Sequence, residues 1–508
     1  MPESPIVTTA NGQVRGLWRG ASAAFLGIPF AAPPVGDLRL AAPVPAEPWT
    51  GIRAATTYGP TPQRRPFGEV TAIPEPSIPG DATLNVNVFT PAPATDAALP
   101  VLVWIHGGGY FAGSPASPWY DGAAFNRDGV VTVTVSYRLG FDGFGWIDQA
   151  PANRGILDQI AALEWVRENI AAFGGDPGRV TIAGQSAGAG SVLTLMASPA
   201  ADGLFHQAIS ASGVLTRRTT DDARELSARI AHAAGIKGPA TMRAWRALTE
   251  DALLDAERAV ILAPDPSPAS PTQLVERLIG PGAVLSPPIG PFVDGELVLD
   301  LLDRLAGGIH RDTPLLLGTT ANEFAVVRGP DAPPREDVEA ALRGAGIDEA
   351  ARTAFWTEID RIGDERIFGQ LQTVGGFRAL VPSLAEARRA AGAGTRTWAY
   401  DFRYHAPSVG IAGHCFDLPF AWDLGDAEGV QALLGAPADA ELARAVHDSW
   451  VRFIKAGDAA WPSSADALAG AQVFDMPTTA YDPDAYLLEA ELGRVRAQAE
   501  RTADASRL

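Results

Sequence analysis

A chain of 508 residues, 46% of them hydrophobic, is long enough to bury a large core, and its single cysteine rules out an internal disulfide. A net charge of −19 argues against nucleic acid or an anionic membrane as a partner. No apolar run reaches the ~18 residues of a membrane span, the first residues lack a basic and an apolar leader segment, and no His/Cys cluster has metal spacing. These features predict a cytoplasmic protein without a metal, a monomer or a small homo-oligomer.

Residues 5–60 hold short alternating runs broken by Gly and Pro, and read as antiparallel strands at a sheet edge. Residues 61–80 are polar and proline-rich, as in a surface loop, and 84–89 alternates as another strand. Val101 to Ile105 is continuously apolar, the pattern of a strand buried on both faces. It runs into His106-Gly107-Gly108-Gly109-Tyr110, where the glycines let backbone N–H groups approach a ligand closely. Val130 to Tyr137 is a further buried strand. Ile156, Ile160, Leu163, Val166 and Ile170 recur at helical spacing, so 155–173 is a helix, stopped by Gly174-Gly175. Buried runs follow at 180–183, 208–212, 314–318 and 397–402. This alternation predicts an α/β fold, with a large, mostly parallel central sheet and helices on both faces. Residues 216–275 and 328–392 are rich in Ala, Arg, Asp and Glu with helical periodicity. They are expected to be helical insertions of one domain, lying over the sheet edge where α/β proteins bind ligands. Leu442 to Ile454 reads as a late helix, and the charged tail beyond about Glu489 is expected to fray.

One stretch carries chemistry. From Val180 to Gly190 an apolar strand passes through Gly184-Gln185-Ser186-Ala187-Gly188 into small, helix-compatible residues. A serine on such a turn is exposed at a strand end, faces a helix N-terminus, and reads as a nucleophile. With 53 glycines in the chain, the Gly-x-Ser-x-Gly pattern arises by chance on the order of 0.2 times, so the context has to support it. A serine needs a base, and the base needs an orienting carboxylate. Among seven histidines, His405 and His414 lie in the loop after the 397–402 strand, and His414 has Gly413 beside it. Glu323 lies just past a buried strand and is the acid candidate. The N–H groups of Gly108, Gly109 and Ala187 are candidates for an oxyanion hole.

Longer stretches in a fixed order resemble the type-B carboxylesterase (carboxylesterase/cholinesterase) family of α/β-hydrolases, from about Val7 to Pro483. They are Phe25 to Gly36, the 106–109 glycine loop, Ser136 to Gly140, Asn153 to Gln159 and Phe173 to Pro177. The resemblance implies Ser186 as nucleophile, Glu323 as acid, His414 as base, Gly108, Gly109 and Ala187 as oxyanion donors, and Ser212 as a serine bonding near the triad. The chain departs from the family at Gln185, where a glutamate is usual, and at Phe324, where glycine is usual. Thr61 and Thr83 stand near the expected first disulfide, and Cys415 sits beside the base. Tyr110, Phe111, Trp119, Phe324, Phe416, Phe420 and Trp422 adjoin these loops, and several are expected to line an apolar substrate cleft. The expectation is a serine esterase acting on a small-molecule ester through an acyl-enzyme, with no cofactor. A carbamate, amide or lipid hydrolase is the alternative in substrate, and a non-catalytic binding relative is the alternative in class.

Overall fold

The computed structural model describes residues 3–65, 71–215, 217–263, 273, 277, 286–325 and 333–505, with side chains as far as residue 498. Among them, eleven strands form one sheet. Its centre is parallel and runs in the order β13(Ala471–Phe474), β12(Thr397–Phe402), β11(Leu315–Thr320), β10(Gln207–Ala211), β9(Gly175–Gln185), β7(Leu99–Ile105), β8(Val131–Val135). Antiparallel strands flank this centre, with β14(Ala480–Asp482) at one edge and β6(Asn85–Thr90), β4(Ser22–Pro29) and β3(Leu17–Arg19) at the other.

The central strands are apolar throughout because both faces are covered. Val101, Val103 and Ile105 of β7 point into one core, and Leu102 and Trp104 into another on the opposite face. β11 repeats the division, with Leu315 and Leu317 on one side and Leu316 on the other. This is the period-2 alternation of a strand buried twice. From β7 the chain steps one way to β8. From β9 it steps the other way through β10, β11 and β12. The reversal opens a crevice at the C-terminal strand ends. Register aligns those ends: Ile105 pairs with Gly184, Gln185 with Ala211, Ala211 with Gly318, and Thr320 with Phe402.

Several expectations need correction. β1(Ile6–Thr9) and β2(Gly12–Arg15) do not join the large sheet; with β5(Ile52–Ala54) they form a separate three-stranded one, in which β2 and β5 are parallel. The tail is the helix Leu487–Ala505, anchored by buried Leu488 and Leu492 and by a Glu489–Arg378 ion pair at 2.6 Å. The segment read as a helix over 155–173 is α-helical over Arg154–Asn169 and tightens into a 3₁₀ turn over Ile170–Phe173, which Gly174 ends with φ 81°. In the expected insertion ranges, helices occupy Thr220–Ala233, Met242–Arg246, Glu250–Ile261, Arg335–Gly344, Glu349–Ile362, Ile367–Thr373 and Leu380–Ala390. Residues 216, 264–272, 274–275 and 328–332 of those ranges, and 66–70 of the proline-rich loop, lie outside the described residues.

Buried ions brace the frame. Arg138 donates Nε and Nη2 to the two oxygens of Asp158 at 2.8 and 2.7 Å, tying the end of β8 to the Arg154–Asn169 helix. Glu257, 4% exposed, accepts the Phe141 N–H at 2.7 Å, and burial pushes its pKa up to about 7. Among the described residues no helix is long and apolar enough to cross a membrane, and no group of His, Cys, Asp and Glu is placed to hold a metal.

Candidate active site

Ser186 stands at the end of β9 with φ 57° and ψ −123°, a conformation non-glycine residues rarely adopt. The helix Ala187–Ala197 starts directly after it. The turn is possible only because its neighbours are glycines. A β-carbon at Gly188 would overlap the Ile105 carbonyl oxygen, and one at Gly184 would overlap the Gly188 backbone. Ser186 is half-buried while Gln185 and Ala187 are buried, so the serine alone is presented.

The glycine loop after β7 lies against this turn. A β-carbon on Gly107 would stand 3.2 Å from Cβ of Ser186. Gly108 and Gly109 take φ values of 111° and 61°. The Gly108 carbonyl curls into its own turn, accepting N–H groups from Phe111 at 3.1 Å and Ala112 at 2.8 Å. In a planar trans peptide the Gly109 N–H therefore points the other way.

Glu323 and His414 meet through backbone and side chain together. The His414 N–H donates to the Glu323 carbonyl at 3.0 Å, and Nδ1 of His414 lies 2.5 Å from Oε2 of Glu323. The other carboxylate oxygen accepts the Ser212 hydroxyl at 2.6 Å and the Thr320 N–H at 2.8 Å, which holds Glu323 in one orientation without solvent. Nε2 of His414 faces the serine turn, 3.2 Å from Nε2 of Gln185. Burial works to lower the imidazole pKa, but hydrogen bonds and charge interactions with Cys415 and Glu323 outweigh it and raise it well above the usual histidine value. His405, the other base candidate, lies elsewhere, 3.1 Å from Nη2 of Arg361 and 3.7 Å from Glu358.

The predicted cleft residues divide. Phe324 is half-buried and stacks on the His414 ring with centroids 5.2 Å apart. Phe416 is buried and packs under Gly413. Phe111 lines a surface hollow with Leu254, Glu257 and Ile261, and Tyr110 is buried edge-on to Phe144. Trp119, Phe420 and Trp422 belong to an aromatic core under the histidine loop. Trp422 meets Trp104 and Phe125 edge-on at 5.1 Å, Phe420 packs on Phe402, and Nε1 of Trp119 donates to the Glu428 carbonyl. For these three, fused or large rings gain more from mutual burial than from facing solvent.

Other residues at the site escape sequence reasoning. Phe377 lies in a π-helical turn over Val374–Arg378 and covers a second side of the imidazole at 5.2 Å. The Asn322 side chain joins three elements: Oδ1 accepts the Ala412 N–H at 3.0 Å, and Nδ2 donates to Glu358 at 2.8 Å and Gln370 at 3.1 Å. Asp417 is buried, accepts the Tyr400 hydroxyl at 2.8 Å, and has its pKa raised to about 6 by burial and by nearby Glu323. Their partners lie 17 to 90 residues away, and no local pattern marks them.

A serine on a strained strand-to-helix turn, at the crevice of a mostly parallel sheet, defines an α/β-hydrolase. The sequence profile of the carboxylesterase family matches residues 3–479. Para-nitrobenzyl esterase of Bacillus subtilis (strain 168) is 33% identical over 482 residues, covering 90% of this chain and 92% of that one. A solved PNB esterase superposes with a TM-score of 0.79 at 30% identity, over 96% of this chain and 99% of that one. A carboxylesterase of Geobacillus stearothermophilus gives 0.77 at 31%, over 97% and 99%. The chain belongs to the carboxylesterase family and is a carboxylic ester hydrolase.

Proposed function

We propose that this chain, acting as one catalytic unit, cleaves small-molecule esters through an acyl-enzyme formed on Ser186. The observation that carries the reading is His414 itself, with Nδ1 at 2.5 Å from buried Glu323 and Nε2 turned to the serine turn. Nε2 takes the Ser186 proton as Oγ attacks the carbonyl carbon. Glu323 fixes the tautomer and stabilises the imidazolium. The N–H groups of Gly108, Gly109 and Ala187 receive the oxyanion, each donor contributing on the order of 3 kcal/mol. Ala187 opens its helix, so its N–H has no partner within the helix. Collapse of the tetrahedral intermediate expels the alcohol, protonated by Nε2. Water then attacks the acyl carbon, gives its proton to the same nitrogen, and releases the acid.

A fluorophosphonate tests this directly. Mass spectrometry is expected to find one adduct, on Ser186, and Ser186→Ala and His414→Ala proteins are expected to stay unlabelled on the same timescale. Labelling elsewhere, or full reactivity of His414→Ala, rules the assignment out.

A further inference from the structure

Gln185 precedes the proposed nucleophile and is 1% exposed. Its amide lies between two parts of the site. Oε1 is 3.1 Å from the position a Gly107 β-carbon would take, and Nε2 is 3.2 Å from Nε2 of His414. With Nδ1–H given to Glu323, Nε2 of the neutral imidazole carries a lone pair, and an amide N–H donates to it. Ser186 must deliver its proton to that same lone pair. Among the described residues Ser186 Oγ makes no hydrogen bond to His414, so the amide holds the position the serine needs.

We propose that Gln185 is a positioning residue that favours the neutral, Nδ1-protonated form of His414 at the pH where the base is competent, and yields Nε2 to Ser186 when an ester binds. This rests on the reading of Ser186 and His414 as nucleophile and base. The exchange is balanced: one N–H···N bond breaks, one O–H···N bond forms, and no proton moves until attack. An amide differs here from a carboxylate. A carboxylate accepts but cannot donate, so at this position it bonds Nε2 only when the ring carries its second proton. The titratable groups facing the imidazole are Glu323, Cys415 and Asp417, and Phe324 and Phe377 cover its sides. Interaction with Glu323, Cys415 and Asp417 favours imidazolium. The Gln185 amide, bonded to the neutral ring, opposes them.

The test is the pH dependence, from about pH 5 to 9, of kcat/KM for a small neutral ester and of fluorophosphonate inactivation. Wild type, Gln185→Met and Gln185→Glu are compared, with melting temperature followed at each pH. In both variants the acid limb is expected to move to higher pH, by a few tenths of a unit for Met and on the order of one unit or more for Glu. Limbs that overlay wild type, or move to lower pH, overturn the proposal. A shift in the Glu variant alone also overturns it, since a charge then acts without any lost hydrogen bond. Should the Met variant not fold, ¹⁵N NMR of histidine-labelled wild type, taken above its acid limb, decides: a protonated Nδ1 and a bare, hydrogen-bonded Nε2 are expected, and a protonated Nε2 overturns the proposal. Absence of any adduct on Ser186 in wild type rejects the nucleophile reading instead, so the two failures are distinguishable.

Discussion

Asp158 and Glu323 are both shut off from solvent, and both meet a nitrogen base at hydrogen-bond distance. Asp158 meets Arg138, a guanidinium that stays charged at any working pH, in a bidentate arrangement reinforced by the Arg138 N–H at 3.0 Å. Glu323 meets His414, whose second proton can come and go, and its other oxygen is fixed by Ser212 and Thr320. The first pair fastens a helix to a strand. The second lies against the serine turn. The same burial serves stability where the partner is fixed in charge and, on the proposed reading, chemistry where it titrates.

Substituting each acid in turn sharpens that contrast. Glu323→Gln is expected to lower kcat by on the order of 10⁴, because the imidazole loses its tautomer control, while the melting temperature changes little. Ser186→Ala and His414→Ala are expected to cost as much, and double variants little more than single ones; steady-state kinetics beside calorimetry check both. Asp158→Asn reverses the pattern. It leaves Arg138 buried without its counter-charge, and denaturant unfolding is expected to show a loss of about 3–5 kcal/mol with near-normal kcat in the molecules that remain folded.

Glu257 is a third case, a buried carboxyl with a backbone donor in place of a cation. Its pKa, raised to about 7, means that the folded state binds this proton more tightly than the unfolded chain. Its contribution to stability is therefore full below about pH 4.5 and is lost as pH rises to about 7. Glu257→Gln is expected to remove that slope, gaining on the order of 2–3 kcal/mol over wild type at pH 8 relative to pH 4, as read by urea unfolding at each pH. The smallest effect belongs to the ring stacked on His414. Phe324→Ala is expected to improve kcat/KM for bulky esters relative to small ones by about tenfold, measured on a panel varying acyl and alcohol size. An unchanged profile would show that Phe324 supports His414 without bounding the substrate.

Legibility in the sequence followed the range of the interaction. The serine turn and glycine loop are local patterns, and the apolar runs of β7 to β12 identify a doubly covered sheet. Glu323 and His414 are 91 residues apart, and Gln185 and His414 are 229 apart. From the residues alone His405 and His414 are level; the family resemblance favours His414, and the fold places it beside Glu323 and His405 beside Arg361. β5, β13 and β14 have three or four residues each, too short for periodicity to show. The last helix hides because two leucines and one ion pair carry its anchorage while charged residues are scattered along it with no clear apolar stripe. Trp119, Phe420 and Trp422 read as cleft residues from their place in the chain, but aromatic rings near the His414 loop also form the floor that supports it.

That floor gives a use to the chain's one thiol. Cys415 follows His414 directly, with φ 71° and 8% exposure. Alkylation of the native protein therefore has a single target, and its rate is a stopwatch for the opening of the loop that carries His414. Compared with the rate of global unfolding, it tells whether this loop breathes by itself or only when the whole sheet comes apart.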